Sequence, residues 1–181
     1  MKMAIIRREN ARGIDAKIDV LQTHLYDFNA FTAWQSSWSC HDRANLVPNG
    51  KHDGKLKAMT YRSGEYTDVY MDDSFNIVTF FTAPKKRPVV TDLLVDTTVS
   101  MYLQCNLSGL FPEASHRADE EVINRFIHAF HRQPEFRLAE VVTTIDEVYR
   151  GLDTEKLMLD DIGKWLALRF DLEVSYEAEC F

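Results

Sequence analysis

The stretch LALRFDLEVSYEAEC, which runs from Leu166 to Cys180, carries an apolar side chain at every second position. A repeat of two is that of a β-strand, whose successive side chains point to opposite faces of a sheet. We therefore predict a long strand here, with one face on a core and the other in water or against a polar partner. The polar face is markedly acidic, and its carboxylates are Asp171, Glu173, Glu177 and Glu179.

A second long strand is predicted from about Thr97 to Leu107, where Val99, Met101 and Leu103 alternate with mostly polar residues. We expect the two long strands to pair in one antiparallel sheet, with their apolar faces on the same layer. Shorter strands are predicted at about 31–39, 57–62, 65–71 and 75–81, and the turn Ser63-Gly64 joins the middle two as a hairpin.

Two amphipathic helices are predicted from apolar residues spaced three and four positions apart. The first runs from Ile14 to Phe28, and the second runs from about Ala118 to His131. Ser115 or His116 precedes the second helix, and three acidic residues in its first turn suit the positive end of the helix dipole. A third helical turn is expected near 155–164.

Two stretches lack periodicity, and we interpret them as long loops or arms. The first, at about 41–56, reads as a long loop or a hairpin tip. The second, at about 82–96, reads as an extended basic segment, whose cations are Lys85, Lys86 and Arg87. We predict one α+β domain over residues 1–181, with an antiparallel sheet of four to six strands and two or three helices packed on one face.

The composition argues against several classes of protein. The 181 residues have a net charge of -7, whereas a module that grips DNA needs a surplus of Lys and Arg on one face. No apolar run approaches the roughly 18 residues of a membrane span, and Met1 to Arg12 lacks the apolar segment of a secretion signal. Three cysteines without a short spacing favour free thiols in a reducing compartment.

Residues capable of catalysis occur in small groups, each of which has a simpler interpretation. His128 and His131 can share a helix face, but the HExxH pattern of a zinc site is absent, and these histidines read as solvated or interfacial. Cys40-His41-Asp42 has the residue types of a catalytic triad, yet side chains adjacent along a chain diverge. Asp72-Asp73 and Asp160-Asp161 are typical of turns and helix starts.

The aromatic residues Trp34, Trp38, Phe80 and Phe81 have the chemistry to stack on bases or sugars, but sheet cores and subunit interfaces use the same residue types. Glycine-rich phosphate loops, a GxSxG motif and a CxxC pair are absent from the sequence. We therefore expect no enzyme activity and assign no catalytic, cofactor-binding or metal-binding residue.

The order of the predicted elements along the chain resembles that of a known group of proteins. An amphipathic helix opens the chain, and the strand 99–107 leads into Gly109-Leu110-Phe111-Pro112. His116-Arg117-Ala118-Asp119-Glu120-Glu121 then opens the second helix, and a long strand ends at Phe181. In this order the chain resembles the small neck proteins of tailed bacteriophages, namely tail terminators, head–tail connectors and ring proteins beneath the portal.

The resemblance implies a structural virion protein that forms a homo-oligomeric ring of six or twelve copies, through which DNA passes without sequence-specific binding. It implies contacts with portal, neck or tail proteins, no membrane contact, and a virion location after assembly in the host cytoplasm. Two unlike complementary surfaces close such a ring. The candidate pair is the basic arm, Lys85, Lys86 and Arg87, and the acidic strand face, Asp171, Glu173, Glu177 and Glu179.

The sequence leaves alternatives open. The acidic strand face or the helical acids would equally suit the wall of the channel, because like charge keeps DNA from adhering. A small acidic intracellular module would instead present this face to a basic protein partner, in a complex abolished by neutralising Glu173 and Glu177. An enzyme would use His116 or His128 with nearby carboxylates, and elemental analysis would then find bound metal.

Overall fold

The structure is a computed structural model that describes residues 4–50, 54–62, 65–69, 74–84, 89–91, 94–113, 117–154 and 165–177. Several sequence predictions fall outside these residues. They are the turn at Ser63-Gly64, the acidic pairs Asp72-Asp73 and Asp160-Asp161, the capping positions Ser115 and His116, the helical turn near 155–164, and Cys180.

Strands and helices are interspersed along the described part of the chain. The strands are β1 (Ala4–Ile5), β2 (Trp38–Arg43), β3 (Asn45–Pro48), β4 (Leu56–Arg62), β5 (Glu65–Asp68), β6 (Ile77–Thr82), β7 (Val89–Thr91), β8 (Leu94–Asn106), β9 (Phe136–Val142) and β10 (Trp165–Glu177). The helices are α1 (Ile14–Asp27), α2 (Leu107–Leu110), α3 (Ala118–His131) and α4 (Ile145–Val148).

The two long predicted strands form the centre of the main sheet, and the α+β class is confirmed. β8 and β10 pair antiparallel along the full 13 residues of each, from Trp165 opposite Asn106 to Glu177 opposite Leu94. The sheet order is β1-β2-β6-β8-β10-β9, and β7 pairs with the start of β8 on the side that β6 occupies further along.

The prediction of an antiparallel sheet of four to six strands was incomplete. Among the described residues the main sheet has seven strands, and β2 runs parallel to both β1 and β6. A parallel pair needs a crossover connection, and the separate antiparallel sheet β3-β4-β5 lies in the chain between β2 and β6. The strand predicted at 31–39 begins only at Trp38, after two short 3-10 turns.

One face of the main sheet is covered by α1 and α3, as predicted. Ile18 and Leu21 of α1 and Phe126 of α3 are completely or almost completely buried against the apolar face of β8 and β10. The ring centroid of Phe126 lies 4.6 Å from that of Phe31 and 5.4 Å from that of Phe170. This aromatic cluster joins the helices to the sheet.

The opposite face is covered too, which the sequence analysis did not anticipate. Phe80 of β6 and Tyr102 of β8 stack there with ring centroids 4.6 Å apart. Val148, Tyr149 and Leu152, in and just after α4, pack onto this pair together with residues of the small sheet. Every residue of β6 is consequently buried, which is typical of a strand covered on both faces.

The two stretches predicted as long loops contain strands. The stretch 41–56 includes the end of β2, all of β3 and the first residue of β4. Because β3 and β4 pair antiparallel, this stretch belongs to a hairpin, which is the second of the two predicted alternatives. The stretch 82–96 includes β7 and the start of β8, which begins at Leu94 and not at Thr97. No helix in the described ranges is long and apolar enough to cross a membrane.

We expect Gly13→Ala to lower the free energy of unfolding by about 1–3 kcal/mol. Gly13 enters α1 with φ 54° and ψ −123°, and an added Cβ would lie 3.2 Å from the ring of Tyr176. Chemical denaturation measures the loss. Gly151→Ala is the control, because its φ is also positive, at 79°, but its added Cβ meets no atom within 4 Å. Equal losses in the two variants would contradict a contribution from Tyr176.

Candidate assembly surface

β10 extends beyond β9 at both ends, by residues 165–168 at its start and by residues 175–177 at its end. Phe136, the first residue of β9, pairs with Val174, so no residue of β9 lies opposite Ser175, Tyr176 or Glu177. These three residues still pair with β8 on their other side. Among the described residues, β10 therefore continues past β9 from Ser175 to Glu177, and we call this part of the strand the open edge.

A polar cleft of about 580 Å³ lies beside this open edge, and we call it the β10 cleft. Its walls come from α1, from β8, from the connection between α3 and β9 together with the start of β9, and from β10. The polar side chains on these walls include Lys17, Asp96, Thr97, Glu135, Arg137, Glu173 and Ser175. The cleft is therefore assembled from four parts of the chain that are distant in sequence.

Ion pairs and hydrogen bonds organise the walls of the β10 cleft. Lys17 Nζ lies 2.6 Å from Glu135 Oε2, which ties α1 to the connection that precedes β9. Arg137 of β9 forms an ion pair with Glu173 of β10. The Arg137 and Glu173 side chains remain 76% and 45% exposed, so this pair contributes little to stability and both groups can be reached by a partner.

Thr97 is the buried polar residue of the β10 cleft. It is 9% exposed, and its hydroxyl has no hydrogen-bond partner among the described residues. Next to it, Ser175 Oγ donates a hydrogen bond of 2.5 Å to Asp96 Oδ1. A buried hydroxyl without a partner is destabilised relative to its hydrated state, because it has given up its hydrogen bonds to water. A ligand group that hydrogen-bonded Thr97 would offset part of this cost.

The acidic strand face divides into three parts in the structure. Asp171 is half-buried, where it pairs with Arg169 at 3.1 Å and accepts a hydrogen bond of 2.6 Å from Ser100 Oγ. Glu173 lies in the β10 cleft, and Glu177 is exposed at the open edge.

Asp171 therefore lies against polar neighbours, which is one of the two alternatives predicted for this face. Arg169, which holds its carboxylate, donates a hydrogen bond of 2.7 Å to the backbone carbonyl of Glu147 in α4. The contact with α4 covers this part of β10, whereas Glu173 and Glu177 lie beyond it. Glu179 lies outside the described residues.

The predicted basic arm, Lys85, Lys86 and Arg87, also lies outside the described residues. Its flanking strands are described, and both lie on the same side of β8. Thr82, the last residue of β6, pairs with Ser100, and Val89, the first residue of β7, pairs with Val95. β10, which lines the β10 cleft together with β8, lies on the other side of β8.

His128 lines a second concavity, which lies between α3 and the residues that follow α1. Phe28 and Ala30 contribute apolar surface to it, and Arg125 lies over the ring of Trp34 at 4.5 Å. His131 is exposed on the same helix. In the part of the chain that the structure describes, no group of three or more His, Cys, Asp or Glu side chains could hold a metal ion.

Cys40-His41-Asp42 does not form a triad. The Cys40 thiol is buried in the core, and this burial raises its pKa to about 11, while His41 Nε2 lies 3.2 Å from Ser39 Oγ. Burial also raises the pKa of Asp42, although Arg8 at 3.5 Å opposes that effect. The three side chains therefore serve different neighbours, as expected for residues adjacent along a strand.

The four aromatic candidates for base or sugar stacking are all buried. Trp34 is 4% exposed, and Trp38, Phe80 and Phe81 are completely buried. Trp38 Nε1 donates a hydrogen bond of 3.0 Å to Thr79 Oγ1. These rings belong to the two cores, so their surfaces are not available to a nucleic acid or a sugar.

Comparison with known proteins does not assign the chain to a family. No protein-family model, curated protein or solved structure matches it. The choice of the β10 cleft and the open edge as the candidate assembly surface therefore depends on the geometry of this molecule alone.

Sequence reasoning identified Glu173 and Glu177 but missed the other walls of the β10 cleft. The missing element is β9, whose pairing with β10 shifts register between Asp171 and Leu172. This irregularity places the inward apolar residues at Phe136, Leu138 and Val141, which breaks the two-residue repeat. A search that allowed one bulge in the alternation would have detected the strand.

Proposed function

We propose that this chain is the subunit of a homo-oligomeric ring in the neck or head–tail connector of a tailed phage, through which genomic DNA passes. The proposal places the protein in the virion, after assembly in the host cytoplasm, in contact with portal, neck or tail proteins. It follows the resemblance in the order of elements and assigns assembly, not catalysis, as the function.

The observation that carries the proposal is the difference between the two sides of the main sheet. On one side lie the seven residues of β9 and the open end of β10 with its cleft. On the other side lie the two-residue strand β1 and the three-residue strand β7. Head-to-tail contacts between copies require two unlike surfaces of this kind, and repetition of one such contact closes a ring when the rotation between copies divides a full turn.

The charge of the chain supports passage of DNA through the ring. The sequence carries 28 acidic and 21 basic residues. In addition to the acids of β10, three carboxylates, Asp119, Glu120 and Glu121, occupy the first turn of α3. A channel wall with the same sign of charge as the phosphate backbone prevents DNA from adhering during passage.

Light scattering and native mass spectrometry of the purified protein over a concentration series test the proposal. We expect a closed species of six or twelve copies, visible as a ring in negative-stain images. A strict monomer at every concentration would overturn the proposal. The acidic face would then be examined as the binding surface of an inhibitor module for a basic protein.

A further inference from the structure

β9 lies at the edge of the main sheet. It is the last strand in the sheet order, and no strand in the described ranges pairs with it on the side away from β10. Arg137, Ala139 and Glu140 of this strand are exposed. The backbone N–H and C=O groups on the outer side of an edge strand can pair with another strand, so β9 is a candidate contact surface.

The length of β9 favours a second copy of this chain as its partner. β9 has seven residues. The other described strands with a neighbour on one side only are β1, β3, β5 and β7, which have two, four, four and three residues. Among the strand edges of the described residues, another β9 therefore allows the longest continuous ladder of hydrogen bonds.

We propose that β9 pairs antiparallel with β9 of a second copy across a two-fold axis that passes between Leu138 and Ala139. This register places Arg137 of each copy opposite Glu140 of the other, and Phe136 of each opposite Val141 of the other. The inference is independent of the proposed ring, because a two-fold contact joins copies in pairs, whereas a ring needs a head-to-tail contact.

The register matches opposite charges on the polar face of the sheet. Arg137 lies opposite Glu173 of β10, and Glu140 lies opposite Asp171. Arg169 already pairs with Asp171, and no cation among the described residues pairs with Glu140. Arg137 of the second copy would supply the missing cation. Opposite charges directly across an antiparallel pair stabilise it, and the symmetry provides this pair twice.

The same register matches apolar side chains on the other face. Phe136 and Val141 lie opposite Val174 and Phe170 of β10, whose side chains belong to the core. Val141 is only partly buried, so pairing would cover more of its surface. A shift by one residue would place Phe136 opposite Glu140 and mix the two faces, which disfavours other registers.

The centre of the proposed contact has the smallest side chain of β9. The pairing with β10 shifts register between Asp171 and Leu172, and Ala139 has no partner in β10 because of this shift. A bulge bends the strand that contains it, and a large side chain at this position would crowd the same position of the second copy. Alanine leaves room for the two bulges to lie side by side.

Two charge reversals test the contact. Glu140→Lys places a lysine opposite Arg137 of the second copy, and Arg137→Glu places a second carboxylate opposite Glu140. We expect each variant alone to self-associate more weakly than the wild type by about tenfold or more in analytical ultracentrifugation. In an equimolar mixture of the two variants, both cross-strand pairs have opposite charges, so pairing is expected to return.

Glu113→Lys and Arg150→Glu are the matched controls. Both positions are exposed and lie outside β9, and the Arg150 side chain is 77% exposed, against 76% for Arg137. The controls carry the same changes in charge and are expected to associate like the wild type, and circular dichroism checks that every variant is folded. A wild type that is monomeric at every concentration, single variants that associate like the wild type, or a mixture that does not recover would each overturn the inference.

Hydrogen exchange followed by mass spectrometry locates the contact and separates it from ring formation. We expect the backbone amides of residues 137–141 to exchange more slowly as the concentration of the wild type is raised, and we expect no such change in Glu140→Lys. A closed ring whose β9 amides stay unprotected would overturn the inference and support the ring. Pairs with protected β9 amides and no larger species would do the reverse.

Discussion

Phe126→Ala is expected to lower the free energy of unfolding by about 3–5 kcal/mol, because it removes the central ring of the helix–sheet core. Phe126 is completely buried, and its ring contacts those of Phe31, Trp38 and Phe170. The remaining cavity would lie between α3 and β10, where the surrounding aromatic rings limit collapse. Urea denaturation followed by tryptophan fluorescence measures the loss.

Val20→Ala is the matched control for the Phe126 variant. Val20 is 39% exposed on α1, so its truncation removes little buried surface and should cost less than about 1 kcal/mol. Phe126→Leu should lie between the two, since leucine retains part of the buried volume. A loss below about 1 kcal/mol for Phe126→Ala would contradict the central position of this ring.

Asp15→Ala is expected to lower the free energy of unfolding by about 2–4 kcal/mol, because it removes the carboxylate that the guanidinium groups of Arg8 and Arg43 share. Arg43 Nε and Nη2 donate to the two carboxylate oxygens of Asp15 at 2.6 and 2.8 Å. Arg8 Nη1 donates a third hydrogen bond at 3.0 Å. The Asp15 side chain is only 13% exposed, so water replaces these contacts poorly.

Asp19→Ala provides the comparison for Asp15→Ala on the same helix. Asp19 pairs with Arg7 at 3.1 Å, but the two side chains are 34% and 45% exposed. An exposed pair of this kind typically contributes less than about 1 kcal/mol. Both free energies come from urea denaturation at low and high salt. Equal losses at Asp15 and Asp19 would contradict a special role for the Arg8–Asp15–Arg43 cluster.

The long elements could be predicted because each is specified by a repeat within its own segment. The alternation through Val99 and Leu103 identifies β8, and the spacing through Val122, Phe126 and Phe130 identifies α3 with the bounds observed. β1 and β7 have two and three residues, too few to establish a repeat.

The candidate site was predictable only in part, for a related reason. The alternation of apolar residues in β10 predicts that Glu173 and Glu177 lie on its polar face. Lys17, Thr97 and Glu135 come from three other segments, and no local pattern indicates that they meet. Their shared cleft depends on β9 ending its pairing at Val174 while β10 continues to Glu177.

The sequence alone determined the α+β class, the two amphipathic helices and the antiparallel pair at the centre of the sheet. Local periodicity specifies which face of an element is apolar, and burial of that face then favours the element. Only the tertiary structure decided the parallel strands, the second layer over Phe80 and Tyr102, and the open edge of β10. These features depend on contacts between residues far apart in the chain, for which a single sequence contains no local repeat.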